Sequence, residues 1–388
     1  MQTFTIPSTI SLIEVGAFSN CTGLRYLQIG NGGSNIINLE RSVFSGCTGL
    51  TKTIINNEIY TSYNNNFESC TGELIINSVL PNKVGYDIGW NNGEGYFDYS
   101  NFSKISINDG INYIGEWVFA HIETDEFIIG KDVESIGAQC FNNCSIGSIK
   151  SAEDSKLETI GEYTFYNANI GDIQIPTIKT IEFGAFISAR ITSSLVFNGN
   201  IHVEGGAFSS SHIDTLIIRS IKGIDDLAFS GAYCDELTLE CNTPNYDMYK
   251  YTTAVSSNNS PLCHLTPKNI IISDNVTTIG EYTFDTITDS NKGATPTITI
   301  GKNVKTIGKG AFHVIGDISP TLGDDSTPGK VYCKPITPPE LDATDNFVAY
   351  NIYVPRESLE LYKDDKEWYT DTEYCELMGF GYIYGYDF

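Results

Sequence analysis

A hydrophobic residue followed five positions later by phenylalanine recurs along most of this 388-residue chain. The pairs are Ile13/Phe18, Leu39/Phe44, Ile114/Phe119, Ile136/Phe141, Ile160/Phe165, Ile181/Phe186, Val203/Phe208, Ile224/Phe229, Ile279/Phe284 and Ile307/Phe312. From Phe119 to Phe229 the phenylalanines lie 22, 24, 21, 22 and 21 residues apart. This period is too long for a heptad repeat and too short for an independent domain. It is typical of one coil of a solenoid, which buries its apolar edge against neighbouring coils.

A short alternating segment precedes most of these phenylalanines. Apolar pairs two positions apart indicate strands that present one face to a core. The pairs are Ile105/Ile107, Ile173/Ile175, Leu195/Phe197, Leu216/Ile218, Leu237/Leu239, Ile270/Ile272 and Ile298/Ile300. After the strand, residues 136–141 have apolar positions at helix-like spacing over about one turn, which predicts short helical or 3-10 returns. Strand, turn, return and turn make consecutive strands parallel.

The continuous repeat predicts one elongated α/β body of about fourteen coils rather than several domains. We predict a solenoid over residues 1–355 and a capping segment over 356–388, because a solenoid end exposes its core and needs an atypical cap. Three stretches are irregular, one of them a proline-rich stretch at residues 317–346. Residues 78–102 lose the regular anchor and gain aromatic residues, and residues 241–267 insert a polar, Tyr-rich loop.

The composition limits the partners that this chain can bind. Asp and Glu outnumber Lys and Arg by 48 to 23, which gives a formal charge of −25. This balance disfavours nucleic acid and anionic membranes, since both need a basic surface. The charge is explained by solubility or by attraction of a basic partner, and the sequence leaves both open. No apolar run reaches the roughly 20 residues needed to cross a bilayer, so no transmembrane segment is expected.

Residues that could support chemistry are scattered. His202 and His212 fall within one coil and so could approach each other, but no third ligand accompanies them. Without a metal-binding motif or a nucleophile motif, we predict no enzyme, no metal and no cofactor. Cys21, Cys47, Cys70 and Cys144 each follow a phenylalanine by three residues, which indicates small buried side chains in register with the core. A disulfide among Cys234, Cys241 and Cys263 stays open.

Several units resemble BspA-type leucine-rich repeats over about residues 1–316, apart from residues 241–267. They are Ile-Gly-Glu-Tyr-Thr-Phe at 160–165 and 279–284, Gly-Ala-Phe with Asn-Cys-Thr-Gly-Leu at 16–24, and Ile-Gly-Lys-Gly-Ala-Phe at 307–312. Residues 351–368 are also similar to the ending of many Bacteroides-like members. The resemblance implies a right-handed leucine-rich-repeat solenoid with a parallel sheet on its concave face. It implies a secreted or surface-attached bacterial protein, with a leader or anchor outside this sequence, and it carries over no catalytic residue.

One outward residue lies between the two inward residues of each strand. Stacked in register, these residues read Ile75, Ser106, Ile128, Gln174, Val196, Ile217, Thr238, Ile271 and Thr299, beside a mostly acidic row of Glu73, Lys104, Glu126, Asp172, Ser194, Thr215 and Glu236. Strand propensity alone explains aliphatic residues on a pleated surface. The alternative is an apolar surface with an acidic rim that binds a protein. We predict partner binding at Ile75, Ile128, Gln174, Val196, Ile217 and Ile271.

The resemblance also implies adhesion for some members, to host matrix proteins or to other bacteria. We therefore predict an adhesion or recognition scaffold that binds protein partners through the concave sheet and its flanking loops. The second hypothesis is a carbohydrate-binding module, in which Trp90 and Tyr96 of the aromatic loop stack on glycans. Capping of a degenerate coil explains the aromatic loop equally well. A third interpretation treats the chain as a spacer.

Overall fold

The computed structural model describes residues 2–61, 63, 65–77, 83–84, 95–225, 227–242, 262, 265–284, 296–312, 329–342, 350–365, 368 and 382–388. The chain divides into two units, Met1–Ser193 and Ser194–Phe388. One strand, β17 (Arg190–Phe197), crosses this division.

Long parallel strands form the sheet of the first unit. They are β1 (Thr3–Ile6), β3 (Tyr26–Ile29), β5 (Lys52–Ile55), β7 (Thr71–Ile76), β9 (Asn101–Ile107), β11 (Glu123–Ile129), β13 (Ser145–Ser151) and β15 (Asn169–Gln174). Each pairs with the next one along the chain, and Asn169 and Ile170 of β15 pair with Arg190 and Ile191. Because consecutive strands are parallel, the chain must return between them to the end of the sheet at which the strands begin.

The second unit repeats the arrangement. Its long strands are β19 (His212–Ile218), β21 (Tyr233–Leu239), β22 (Thr266–Ile272), β24 (Thr297–Ile300), β26 (Gly329–Cys333), β28 (Tyr350–Pro355) and β29 (Ile383–Tyr386). They are parallel and ordered as in the sequence. A 3-10 turn, Arg356–Ser358, and a helix, α1 (Leu359–Asp364), follow β28. The strand β29 was not predicted, and it places a sheet strand within the segment that the sequence assigns to a cap.

Short strands begin the return segments. In the first unit they are β2 (Leu12–Ile13), β4 (Ile37–Leu39), β6 (Ile59–Tyr60), β8 (Lys83–Val84), β10 (Tyr113–Ile114), β12 (Ser135–Ile136), β14 (Thr159–Ile160) and β16 (Thr180–Ile181). In the second they are β18 (His202–Val203), β20 (Gly223–Ile224), β23 (Thr278–Ile279), β25 (Thr306–Ile307) and β27 (Glu340–Leu341). They pair in parallel within small ladders. The hydrophobic residue five positions before phenylalanine thus lies in a short strand of its own.

The phenylalanines of the repeat stack on one another in the core. In the first unit the ring centroids of Phe18 and Phe44 are 5.4 Å apart, and those of Phe141 and Phe165 are 5.1 Å apart with an interplanar angle of 6°. In the second unit Phe208 stacks on Phe229 at 5.0 Å. The parallel strands and this stack of rings confirm the predicted solenoid.

The returns are built from successive turns, where the sequence predicts short helical or 3-10 pieces. The amide of Ala120 donates to the carbonyl of Trp117, which is the hydrogen bond of a 3-10 turn. In contrast, the amides of Phe119 and His121 donate to carbonyls of the next coil, at Cys140 and Asn142. A regular helix would keep these amides within its own turn, so bonding between coils replaces helix formation.

This bonding requires left-handed backbone on both sides of the phenylalanine. Positive φ angles recur two residues before it, at Ser42, Trp117, Gln139, Tyr163, Gly184 and Leu227, and two residues after it, at Asn20, Gly46, His121, Asn143, Asn167 and Ser210. Residues with side chains pay a conformational cost there, which Gly and Asn reduce. The hydrogen bonds between coils offset this cost along each unit.

The segment at 95–102 is more regular than the sequence indicates. Phe97 is buried and lies 5.1 Å from the rings of both Phe67 and Phe119. Its amide donates to the carbonyl of Val118 in the next coil. Phe97 is therefore the anchor that the sequence analysis did not find, because no apolar residue precedes it by five positions: that position is Asn92.

Replacing Phe141 by alanine is expected to lower the free energy of unfolding by about 3–5 kcal/mol. Its ring is fully buried between Phe119, at 5.9 Å, and Phe165, with Phe127 edge-on at 4.9 Å. Chemical denaturation measures the loss, and hydrogen exchange should show that it is centred on the adjoining coils. The control is Phe183→Ala, at a side chain 45% exposed, and an equal loss of stability there would contradict the special contribution of the buried stack of phenylalanines.

Candidate partner-binding face

The outward residues of the first unit form a continuous row. Pairing places Ile54 beside Ile75, Ile75 beside Ser106, and Ser106 beside Ile128. Their side chains are half-buried, whereas the flanking inward residues are buried. Gln174, at the other end of this row, is exposed. The structure therefore brings the predicted Ile75, Ile128 and Gln174 to one face of the sheet.

The second unit carries its own outward row. Ile217, Thr238 and Ile271 are register partners on successive strands, and Thr299 follows Ile271. Val196, in β17, is half-buried like them. β-Branched side chains on neighbouring strands contact one another and form a ridge that stays accessible. The face has the apolar character that the sequence predicts, and what it binds remains a prediction.

The sequence predicts a mostly acidic row of residues beside the first outward row. In the structure these charges alternate in sign instead. Lys52 lies 3.2 Å from Glu73, and Lys104 lies 2.9 Å from Glu126. Lys150, an outward residue, also forms an ion pair with Glu126. Lys150 and Lys104 lower the pKa of Glu126, and the hydrogen bond from Lys150 is the larger cause. The strands that contribute Lys52 and Lys150, β5 and β13, were not part of the predicted rows.

The two aromatic residues predicted to bind glycans have different outcomes. Trp90 lies outside the described residues. Tyr96 is only 1% exposed, so its side chain is not available at the surface. Its burial next to Phe97 corrects the prediction of a surface role and favours the structural interpretation, because the Tyr96 side chain contributes to the core of this coil.

A cluster of aromatic side chains that the sequence analysis missed lies at β26, β28 and β29. Tyr332, Tyr353 and Tyr384 are outward residues in register on these strands. Further along, Tyr386 lies 5.3 Å from Tyr332, edge-on. Partial burial and the neighbouring Tyr353 and Tyr382 raise the pKa of Tyr384. The signal in the sequence was the alternation Tyr382, Tyr384, Tyr386, which is typical of a strand with one aromatic face.

The described histidines each lie beside an aspartate, and His202 does not pair with His212. The contacts are His121 Nδ1 to Asp98 at 3.6 Å, His202 Nε2 to Asp225 at 3.4 Å and His212 Nε2 to Asp214 at 3.6 Å. Asp235 lies near His212 and Asp214, with ligand atoms within 4.8 Å of one another, a grouping with the donor types of a metal site. Lys268 Nζ is 2.6 Å from Asp235, so a lysine supplies the positive charge there.

Thiols in register with the core donate to the phenylalanine of the preceding coil. Cys47 Sγ lies 3.1 Å from the carbonyl oxygen of Phe18, and Cys144 Sγ lies 2.8 Å from that of Phe119. Burial raises the pKa of the Cys144 thiol, which keeps it protonated and able to donate. Cys21 is exposed, contrary to the prediction that all four are buried.

The cysteines considered for a disulfide are only partly described. Cys234 and Cys241 are free thiols, and Cys263 lies outside the described residues. Within the part of the chain that the structure describes, no helix has the length and apolar character needed to span a membrane.

Comparison with known proteins identifies the repeat. The family description "BspA type Leucine rich repeat region (6 copies)" matches residues 1–120, 91–213, 119–238 and 258–321, which together cover more than half of the chain. The crystal structure of the pneumococcal vaccine antigen PcpA matches with 11% identity, 100% of this chain and 89% of that chain. Its TM-score is 0.24, which is too low to support a conclusion about this chain. No curated protein matches.

Replacing Glu126 by glutamine is expected to reduce stability at neutral pH by at most about 1 kcal/mol. Since the folded-state pKa of Glu126 is lowered, its contribution is present above the pKa of an unfolded glutamate and is lost as pH falls through the folded value. The difference between wild type and Glu126→Gln, measured by denaturation from neutral to strongly acid pH, should therefore vanish in acid. Glu123→Gln, at an exposed position of the same strand, is the control. A difference that persists in acid would show that the ion pairs do not cause it.

Proposed function

Because the chain belongs to the family of BspA type leucine rich repeat proteins, we propose that it is a non-catalytic recognition scaffold that binds protein partners. Binding takes place on the outward face of the sheet and the adjoining loops. The protein acts at a cell surface or outside the cell, and its partners are proteins of a host matrix or of another bacterial surface.

The observation that carries this proposal is the row of half-buried aliphatic residues in register. Ile54, Ile75 and Ile128 of the first unit, and Ile217 and Ile271 of the second, lie on a face whose opposite side is the core. Their side chains are held by cross-strand contacts, so little conformational freedom remains to be lost on binding. A fixed apolar strip with polar neighbours is typical of a protein interface.

The charged residues beside this strip favour specificity. In the first unit lysines and glutamates alternate along the strands, so a partner needs the complementary alternation. Partly exposed ion pairs contribute little to affinity but exclude surfaces of the wrong charge pattern. The face therefore suits a protein of defined sequence better than a uniformly charged polymer.

The solenoid also explains how binding residues vary without loss of the fold. Outward side chains do not enter the core, and each coil depends only on its neighbours. Substitution at Ile128 or Ile271 thus changes the surface while leaving the stacked phenylalanines in place. The carbohydrate alternative has weaker support, because Tyr96 is buried.

Charged substitutions at Ile128, Ile217 and Ile271 are each expected to weaken capture of a protein partner about tenfold or more. The measurement is binding of wild type and of each Ile→Glu variant to an array of purified matrix proteins and mucin glycans. Outward β positions tolerate such changes at a cost of about 1 kcal/mol, so the variants should stay folded.

The matched control is Val15→Glu, which makes the same kind of change at a residue 64% exposed in a turn. It should bind like the wild type. Retention of glycans alone would replace the proposal with a carbohydrate-binding role. Unchanged protein binding in a variant carrying all three substitutions would exclude the sheet face and favour a spacer or a binding site elsewhere.

A further inference from the structure

The last strands of the second unit differ from the others in what they carry on their outward face. Where earlier strands have isoleucine or threonine, β26, β28 and β29 have Tyr332, Tyr353 and Tyr384 in one register row. The ring centroids are 5.0 and 5.3 Å apart, and the interplanar angles are 23° and 22°. The three rings form a parallel stack along the row.

Other aromatic residues extend this stack along β29. Tyr386 lies edge-on to Tyr332 and Tyr353, at 5.3 and 6.0 Å. Tyr382 lies 6.2 Å from Tyr384, and Phe388 lies 5.1 Å from Tyr386. We call these six side chains the aromatic cluster: Tyr332, Tyr353, Tyr382, Tyr384, Tyr386 and Phe388.

The aromatic cluster lies at the surface and not in the core. Tyr382, Tyr384 and Tyr386 are 40%, 42% and 43% exposed, and Phe388 is 53% exposed. By contrast Tyr362, beneath the same part of the sheet, is fully buried, and its hydroxyl donates to the carbonyl of Pro335. Contiguous exposed aromatic side chains of this kind mark an interaction site, because their hydration is unfavourable until a partner covers them.

The cluster is also fixed in place before any partner binds. The strand β29 pairs with β28 along Ile352–Pro355. Beyond it, Asp387 accepts hydrogen bonds from both Nε and Nη2 of Arg356, at 2.9 and 3.0 Å. Ring contacts and this bidentate ion pair restrict the rotamers, so binding costs little side-chain entropy.

The surrounding charge indicates what kind of partner fits. The described residues from 329 to 388 include seven Asp and Glu but four Lys and Arg. Two of these four basic residues already pair with acids, Arg356 with Asp387 and Lys363 with Glu360. Phenol rings and hydroxyl oxygens attract cations and accept their hydrogen bonds. The chain shows the same contact internally, with Lys268 Nζ 5.3 Å above the ring of Tyr233.

We propose that the aromatic cluster binds a basic segment of a protein partner, whose arginine and lysine side chains lie against the tyrosine rings and donate to their hydroxyl groups. This inference deepens the proposed function and rests on it, since it names the chemistry of one class of partner. Because the ring faces of Tyr353 are covered by its stacked neighbours, this ring offers its edge and hydroxyl group to the partner, and a glycan is the other outcome of the test.

The test uses the full chain and two synthetic peptides, one of arginine alternating with serine and one of glutamate alternating with serine, together with cellohexaose. Affinities are measured by calorimetry for wild type, for a variant carrying Tyr384→Ser and Tyr386→Ser, and for Tyr60→Ser. Tyr60 is 40% exposed in the first unit and is the matched control. None of these substitutions changes the net charge of −25, so the general attraction of cations stays constant.

Wild type and Tyr60→Ser should bind the arginine peptide equally, and the double variant about tenfold more weakly. The glutamate peptide should not bind. Equal binding by the double variant, or binding of both peptides alike, would overturn the proposal, and cluster-dependent binding of cellohexaose alone would assign the cluster to glycans. A thermal melt checks that the variants are folded.

The proposed function is tested independently by the isoleucine variants. Suppose that capture of matrix proteins depends on Ile128, Ile217 or Ile271, while the arginine peptide binds regardless of Tyr384 and Tyr386. The scaffold function would then be supported, and only the binding of a basic segment by the aromatic cluster would be excluded. If the tyrosine variant loses peptide binding but the isoleucine face captures no protein, the aromatic cluster binds basic segments and the isoleucine face is excluded as a binding site.

Discussion

Backbone hydrogen bonds between successive coils are the constraint on which the rest of each unit depends. They run along the long strands, and they continue through the returns, where the amides of Phe119 and His121 reach carbonyls of the next coil. These bonds hold the phenylalanine rings about one strand spacing apart, so that apolar contact and hydrogen bonding favour the same register. Left-handed residues such as Asn143 and Gly46 are the local consequence, since they direct alternate amides out of the turn.

The same register determines the surface. A residue that occurs once per coil becomes a row, whether its side chain is aliphatic, charged or aromatic. Ile75 and Ile128 belong to one such row, the alternating Lys52 and Glu73 belong to another, and Tyr353 belongs to a third. A row of outward side chains can therefore form a binding site in this architecture, without a pocket and without a single dominant residue.

The sequence predicts well whatever repeats with a fixed period. The spacing from Ile136 to Phe141 and the alternation at Ile270 and Ile272 predicted the core and the parallel strands, and the family match agrees. It predicts poorly whatever depends on contacts between coils. The apolar spacing predicted short helical or 3-10 returns, but it did not show that alternate amides bond to the next coil, because such turns have the same spacing as one helical turn. Tyr96 read as exposed because composition does not distinguish a core aromatic from a surface one, and β29 was missed because residues 356–388 were assigned to a cap.

The hydrogen bonds of the returns have a consequence for how such a protein changes length. Within a unit each coil offers its neighbours the same kinds of carbonyl and amide: the Cys140 carbonyl accepts from the Phe119 amide on one side, and the Phe141 amide donates to the Thr164 carbonyl on the other. Duplication or deletion of a whole coil by recombination therefore rejoins matching partners and leaves none orphaned. The surface residues of that coil move with it as one block, so a lineage can lengthen or shorten its contact surface in single steps without rebuilding the interior.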